Sequence, residues 1–274
     1  MEVDSTINFN TSTPPNFNTA VMLKTGLTSI TFRPLPVDEI IALVKECGID
    51  GIEWGGDVHA KPGELCVAKE IKAKCDAAGI DCPSFGSYYR CDIEAGLFDD
   101  DLATAQALGA TVVRVWAGRK GSDVADDAYR AEVIESLRKA VDMATVAGVT
   151  VALEYHGNTL TDTQASAHQL LKEVDRDELK LYWQPRSGGT LEDDLVQLKA
   201  ALPVMAHVHC FHWGPGGWND KRPLADGIAP WTEYLKLIQQ ADGDRYVITE
   251  FVAGDTPDQY RADAKVLKQL IADA

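Results

Sequence analysis

Strand-like and helix-like segments alternate eight times along the sequence, from residue 23 to the C-terminus. The strand-like segments are short apolar or β-branched runs at residues 24–30, 48–54, 79–86, 110–116, 149–156, 179–185, 205–213 and 245–252. The segments between them have apolar residues at three- and four-residue spacing, which is typical of helices with one buried face. Eight strand–helix units without a break in composition predict an α/β fold with one closed parallel barrel, a (β/α)8 TIM barrel, as a single domain over residues 23–274.

The main alternative to a closed barrel is an open, doubly wound sheet. Such a sheet usually carries a glycine-rich phosphate-binding turn after its first strand, and residues 30–34 (ITFRP) contain no glycine. The closed barrel is therefore the favoured architecture. Residues 1–22 are polar, rich in Asn and Thr, and include Pro14-Pro15, so we interpret them as a loose N-terminal extension.

The formal charge of −16 argues against two classes of partner. An acidic surface repels phosphate backbones and anionic lipids, so we expect neither nucleic acid nor a membrane as a partner. No apolar run reaches the roughly 18 residues of a membrane span, and the first 22 residues lack the basic start and apolar stretch of a signal peptide. The six cysteines form no Cys-x-x-Cys pair and are scattered over predicted helices and strands, which fits reduced thiols in a cytoplasmic protein better than a disulfide framework.

Each of the last four predicted strands ends in a polar residue that suits a divalent metal. These residues are Glu154, Gln184, His209 and Glu250. In a parallel barrel the ends of neighbouring strands converge, so two carboxylates, an imidazole and an amide would form a mostly oxygen site. Glu154 and Glu250 interrupt apolar strands, where a buried carboxylate is costly unless it is paired or bound to metal. Gln184 is the weakest member, because a neutral amide is a poor ligand.

Aromatic and polar residues at the same strand ends predict a pocket for a small sugar-like molecule. Flat rings pack on the C–H faces of sugars, and charged groups bind hydroxyls. The candidate substrate-binding residues are Glu53, Trp54, Tyr88, Trp116, His156, Arg186, His212 and Trp213. For any one of them, core packing or a salt bridge is the alternative. One glycine-rich loop, at residues 214–217, could bind phosphate, but no second one follows the last strand, so we expect a non-phosphorylated substrate.

The sequence resembles the xylose-isomerase-like barrel superfamily in four segments: residues 48–57 (GIDGIEWGGD), 152–156 (ALEYH), 207–213 (HVHCFHW) and 248–252 (ITEFV). The resemblance covers the barrel from about residue 23 to the C-terminus. Members of this superfamily include sugar phosphate isomerases and epimerases. It implies one divalent metal ion, with Mn²⁺ as the first choice and Mg²⁺, Co²⁺ or Zn²⁺ as alternatives. The implied ligands are a Glu, an Asp, a His and a Glu on the last four strands, which fall on Glu154, Gln184, His209 and Glu250. The family pattern on the sixth strand is Asp-Pro-x-His, whereas this chain has Gln184-Pro185-Arg186-Ser187.

By this resemblance the chain is a metal-dependent isomerase or epimerase of a keto-sugar or keto-glycoside. The metal would hold an enediolate, while Glu154 and Glu250 take and return the proton from opposite faces. Loss of a β-leaving group from the same intermediate would instead give a dehydratase or another lyase, a branch that Gln184 and Arg186 could favour. Two further functions are compatible with the residues: an inactive sugar-binding barrel, and a metal-free glycosidase with two carboxylates. A homo-oligomer is compatible with the sequence.

Overall fold

Eight parallel strands close into a barrel in the computed structural model, which describes residues 21–186 and 188–274. The strands are β1 (Leu23–Thr28), β2 (Gly51–Gly55), β3 (Ser84–Gly86), β4 (Val112–Val115), β5 (Thr150–Glu154), β6 (Lys180–Trp183), β7 (Met205–Cys210) and β8 (Arg245–Thr249). Each strand pairs with the next in sequence, and β8 pairs with β1 to complete the ring. The predicted single-domain TIM barrel is confirmed, while the predicted extension at residues 1–22 lies almost wholly outside the described residues.

An α-helix follows each strand along the chain. The helices are α1 (Val37–Cys47), α2 (Leu65–Ala78), α3 (Asp99–Leu108), α4 (Asp127–Val146), α5 (Gln164–Val174), α6 (Leu191–Ala201), α7 (Ile228–Ile238) and α8 (Pro257–Asp273). Their apolar faces and the outward-facing strand residues form one large hydrophobic core around the barrel. Within the described part of the chain, none of these helices is both long and apolar enough to cross a bilayer.

Most strands end earlier than the sequence pattern suggests, because their last predicted residues have left the hydrogen-bonded ladder. Gln184 and Glu250 directly follow β6 and β8, whereas Glu154 is the last residue of β5. β3 has only three residues and begins just after Pro83, which has no N–H to donate to a neighbouring strand. The predicted metal ligands therefore lie at the rim of the barrel, where strand gives way to loop.

Alternation along the strands divides the barrel interior into an apolar layer and a polar layer. The apolar layer consists of four buried residues, Val112, Ala152, Tyr182 and Ile248. Two positions later on the same chain segments, and hence on the same face, come Arg114, Glu154, Gln184 and Glu250. The apolar layer excludes water from the interior of the barrel, and the polar layer forms the base of the candidate site.

Candidate metal centre and active-site cavity

The four predicted metal ligands come together at the C-terminal end of the barrel. Nδ1 of His209 lies 3.8 Å from Glu154 Oε1 and 3.6 Å from Glu250 Oε2. The same nitrogen lies 3.1 Å from Gln184 Oε1. Atoms bound about 2.1 Å from one small ion, at right angles to each other, are separated by about 3 Å. The donor set of one nitrogen and three oxygens therefore fits a single divalent ion with only small adjustments.

Hydrogen bonds turn the donor atoms of Gln184 and His209 toward one another. The Gln184 amide nitrogen donates to the carbonyl oxygen of Tyr155 at 2.9 Å, which leaves its oxygen facing His209. On the other side of the imidazole, Nε2 of His209 lies 3.4 Å from Glu53 Oε1. A carboxylate on the far ring nitrogen is the usual partner of a metal-binding histidine, because it fixes the ring orientation and the tautomer.

Glu53 lies beneath the metal ligands and does not line the cavity above them. The sequence predicts it as a substrate-binding residue, but its side chain is fully buried. Its Oε2 accepts hydrogen bonds from the hydroxyls of Ser84 at 2.6 Å and Tyr182 at 2.9 Å. Burial opposes its ionisation, yet His209, Arg114 and the Ser84 hydroxyl hold the pKa of Glu53 well below its usual range. Its position suits a residue that orients His209 and Arg114.

Arg114 on β4 is a residue of the site that the sequence reasoning missed. Its Nη1 donates to Glu154 Oε2 at 2.5 Å, and its Nε lies 3.4 Å from Glu53 Oε1. Although burial disfavours the charged form, these two carboxylates raise the pKa of Arg114. Gly86 on the adjacent strand leaves it room, because a Cβ there would lie 2.8 Å from Arg114 Nη2. The available signal was a cation within the apolar run at residues 112–116, the same kind of interruption that indicated Glu154.

The carboxylates of Glu154 and Glu250 differ in how many of their oxygens are free. Oε2 of Glu154 accepts hydrogen bonds from Arg114 Nη1 at 2.5 Å and from Trp116 Nε1 at 2.6 Å. Within the described residues, neither oxygen of Glu250 accepts a hydrogen bond. Burial, together with repulsion from Glu154, raises the pKa of Glu250 to about 7. Glu154 is equally buried, but Arg114 and His209 lower its pKa. Glu250 is thus the carboxylate better able to accept a proton.

A strained backbone directs Glu250 into the site. The next residue, Phe251, has a φ of 52°, in the left-handed region that non-glycine residues rarely adopt. Its N–H donates to the hydroxyl of Thr31 at 3.0 Å, and the ammonium of Lys221 lies 4.8 Å from the centre of its ring. Such a conformation persists only where surrounding contacts hold it, and it is frequent at functional sites.

A cavity of about 740 Å³ opens above the metal ligands. Its walls include Glu154, Gln184 and Glu250. Most of the predicted substrate-binding residues also line it, namely Tyr88, Trp116, His156, Arg186 and Trp213. Cavities of this size and mixed lining are typical of small-molecule sites.

Trp54 and His212, both predicted to bind substrate, lie outside this cavity. Trp54 alternates with Glu53 along β2, so its ring points away from the barrel interior and is fully buried, edge-on to the ring of His59. His212 lies in the loop after β7 and faces a neighbouring cavity of about 830 Å³. The structure therefore places five of the eight predicted substrate-binding residues around the cavity above the predicted metal ligands, and Glu53, Trp54 and His212 elsewhere.

We expect the purified protein to bind one divalent ion per chain through Glu154, His209 and Glu250, with the oxygen of Gln184 as a fourth ligand. Burial works against a charged His209, but Glu250 and Glu53 raise its pKa to about 9. The imidazole is therefore protonated without metal, and an ion that binds Nδ1 must displace that proton. Near pH 7, binding should release at least about one proton per ion, and affinity should fall as pH falls.

Elemental analysis and calorimetric titration with Mn²⁺, in buffers of different ionisation enthalpy, measure both quantities. The variant His209→Gln should lose binding, whereas His168→Gln, a change on α5 away from the site, should retain it. Less than about a tenth of an equivalent of metal after incubation with Mn²⁺ would rule out this site.

Comparison with known proteins points to a single family. A family model described as a xylose isomerase-like TIM barrel matches residues 41–270. Among curated proteins, a 3-dehydroshikimate dehydratase from Bacillus anthracis is 25% identical over 278 residues, which cover 89% of this chain and 96% of the relative.

Solved structures of this fold superpose along most of the chain. The probable 3-DHS dehydratase of Bacillus anthracis superposes with a TM-score of 0.75 and 22% identity, over 89% of this chain and 98% of the other. A D-psicose 3-epimerase has a TM-score of 0.68 and 15% identity, over 90% and 97% of the two chains. A 3-keto-D-glucoside 4-epimerase from E. coli also has a TM-score of 0.68, with 19% identity over 92% and 100%. At these identities the structures show a shared fold.

Proposed function

Because this chain belongs to the xylose isomerase-like TIM barrel family, we propose that it is a divalent-metal-dependent lyase of the dehydratase type. The proposed substrate is a keto-sugar, a keto-glycoside or a similar cyclic hydroxy ketone. A proton leaves the carbon next to the carbonyl, and the C–O bond at the following carbon breaks. A C=C bond forms, and the oxygen departs as water or an alcohol after it has received a proton.

The observation that carries this choice is the difference between the two carboxylates. Epimerisation through opposite faces needs one group to take the proton and a second group to return it. Glu154 is poorly suited to either task, because Arg114 and Trp116 occupy its Oε2 and its Oε1 faces the other ligands. Glu250 keeps a free oxygen at the cavity wall. One base of this kind can remove the proton and pass it to the leaving oxygen.

Other groups of the site support the same chemistry. A divalent ion bound by the four ligands would polarise the substrate carbonyl and offset the negative charge that develops there. Arg114 remains a buried cation below the ligands and adds to that positive potential. The ring of Trp116 forms a firm wall, because Tyr88 packs on it edge-to-face at 5.1 Å and the guanidinium of Arg90 lies 4.2 Å from its centre. This wall orients a sugar ring and excludes water.

The similarity to a 3-dehydroshikimate dehydratase supports elimination over epimerisation, a reaction in which the substrate keeps all its oxygen atoms. The epimerase structures support the fold but not the outcome of the reaction. Epimerisation is the second candidate function, because both Glu154 and Glu250 line the cavity and one could face each side of a bound ring.

Incubation of the Mn²⁺-loaded enzyme with candidate ketones in D₂O tests the proposal. The panel contains 3-dehydroshikimate, ketohexoses, inososes and 3-keto-glycosides, with chelator-treated enzyme as the control. At least one compound should give a product lighter by one water or one alcohol, and its unreacted fraction should gain deuterium next to the carbonyl. Exchange with a change of configuration but no elimination would favour the epimerase. Hydrolysis without exchange would favour a two-carboxylate glycosidase.

A further inference from the structure

A second cavity adjoins the one above the metal ligands. This second compartment, of about 830 Å³, lies between the loops after β6 and β7 and the first turn of α7. The two cavities share Pro185, Arg186 and Trp213 as a common wall. None of the four metal ligands lines the second compartment. The two spaces are therefore neighbours with different linings.

The second compartment offers the partly exposed ring of Trp213, which is held in place by the buried rings of Phe211 and Trp231. The rings of Phe211 and Trp213 stack 3.7 Å apart with an interplanar angle of 13°. The indole N–H of Trp231 donates to the carbonyl oxygen of Phe211 at 2.9 Å, which fixes that ring beside the stack. Rigid aromatic faces of this kind bind the C–H face of a sugar or another aromatic ring.

The imidazole of His212 is a polar group without a hydrogen-bond partner among the described residues. Its imidazole lines the second compartment and makes no hydrogen bond with any described residue, whereas the neighbouring Arg222 is paired with Asp220. A Cβ at Gly227 would lie 2.8 Å from His212 Nδ1, so glycine at this position lets the ring lie close against the chain. An imidazole with free nitrogens can both donate to and accept from a hydroxyl group.

The size of the two cavities exceeds what one sugar ring needs. A hexose displaces about six waters at roughly 30 Å³ each, on the order of 200 Å³ in all. The cavity above the metal ligands alone measures about 740 Å³. A substrate with a second ring is large enough to reach from the first space toward the second beside Trp213, whose side chain lines both.

We propose that the second compartment binds the second ring of a two-ring keto-glycoside. The keto-sugar lies beside Glu250, and the aglycone ring packs on the aromatic surface and is positioned by His212. This assignment rests on the proposed function for the nature of the keto-sugar, whereas binding of the second ring does not depend on the reaction.

Filling the second compartment tests the assignment. Ala229 is exposed at the start of α7 and lines the second compartment but not the first, so Ala229→Trp blocks it without changing the site above the metal ligands. Ala225 is exposed in the preceding short helix, Leu224–Gly227, and lines neither cavity, so Ala225→Trp is the matched control. Calorimetry with the full-length Mn²⁺-loaded protein compares methyl and phenyl glucoside, which differ in the second ring and lack the ketone that the proposed reaction needs.

The unaltered protein should bind phenyl glucoside at least about tenfold more tightly than methyl glucoside. Ala229→Trp should reduce that preference to within about twofold, and Ala225→Trp should leave it unchanged. Equal affinities in the unaltered protein, a preference that survives in Ala229→Trp, or an equal loss of both ligands in that variant would overturn the assignment.

Turnover of the corresponding 3-keto-glycosides separates this assignment from the proposed reaction. Elimination from both compounds with no preference for the phenyl group would overturn the role assigned to the second compartment, but it would leave the proposed lyase activity intact. The phenyl compound could instead bind more tightly, lose that advantage in Ala229→Trp, and appear alongside no turnover of any keto-sugar. That result would support the role assigned to the second compartment and overturn the proposed lyase activity.

Discussion

Replacement of Arg114 with Met is expected to lower the free energy of unfolding by about 3–5 kcal/mol, the usual cost of removing one partner of a buried ion pair. Arg114 is in contact with the carboxylates of Glu53 and Glu154, and all three side chains are at most 5% exposed. Without the guanidinium, both carboxylates would stay buried with His209 as their remaining cationic neighbour. Urea denaturation monitored by circular dichroism measures the change.

Added Mn²⁺ should restore part of the stability that Arg114→Met loses, because the ion brings positive charge next to the stranded carboxylates. Arg245→Met is the matched control, since Arg245 is equally buried but donates only to backbone carbonyl oxygens at the opposite end of the barrel. That variant should gain less stability from Mn²⁺ than Arg114→Met does. If Arg114→Met lowers the free energy of unfolding by less than about 1 kcal/mol, the usual value for an exposed ion pair, then the ion pairs of Arg114 do not stabilise the protein as buried pairs would.

The second large effect is expected for Glu250→Gln, which should lower turnover by about 10²–10⁴-fold while the protein stays folded. The amide keeps the shape of the side chain but cannot accept a proton. Deuterium exchange next to the carbonyl should fall by the same factor as product formation, because both reactions need the same base. Mass spectrometry of the substrate and product in D₂O measures the two rates together.

Glu154→Gln gives the comparison that separates one base from two. Its amide nitrogen has to face either Arg114 or the other metal ligands, so the change weakens metal binding, and turnover at low metal should fall by at least about a hundredfold. Excess Mn²⁺ should recover most of the loss in Glu154→Gln, whereas in Glu250→Gln the part of the loss that is due to the missing base should remain at saturating Mn²⁺. If excess metal rescues neither variant and exchange is lost equally in both, Glu154 is a second base and the epimerase becomes the better assignment.

The fold and the convergence of the four predicted metal ligands could be predicted from the sequence because both follow from periodicity. Repeated strand–helix units predict a parallel barrel, and parallel strands bring their ends to one face. A polar residue at the end of an apolar strand is therefore placed by topology alone, which explains why Glu154, Gln184, His209 and Glu250 converge. The same rule covers Arg114, whose charge interrupts an apolar strand.

The direction of side chains on β2 and in the loops could not be predicted in the same way. β2 is buried on both of its faces, so neither face is marked by exposed polar residues, and the single charge of Glu53 beside Trp54 does not show which of the two points into the barrel. His212 lies beyond the end of β7, where the chain has no regular period. Its direction depends on the close approach of Gly227, from a segment 15 residues later, and such a contact is not visible in local sequence.

Because β8 pairs with β1, the site can be completed only after the last strand of the barrel has been synthesised. Glu250 follows β8, the last strand of the barrel to leave the ribosome, and the hydrogen bond from the Phe251 N–H to the Thr31 hydroxyl ties it to the turn that follows β1. A nascent chain that has not yet released β8 carries Glu154 and His209 but cannot close the ring or set Glu250 opposite them. A metal site that needs Glu154, His209 and Glu250 together would consequently form late in biosynthesis, and a truncated chain without β8 should bind Mn²⁺ more weakly than the closed barrel.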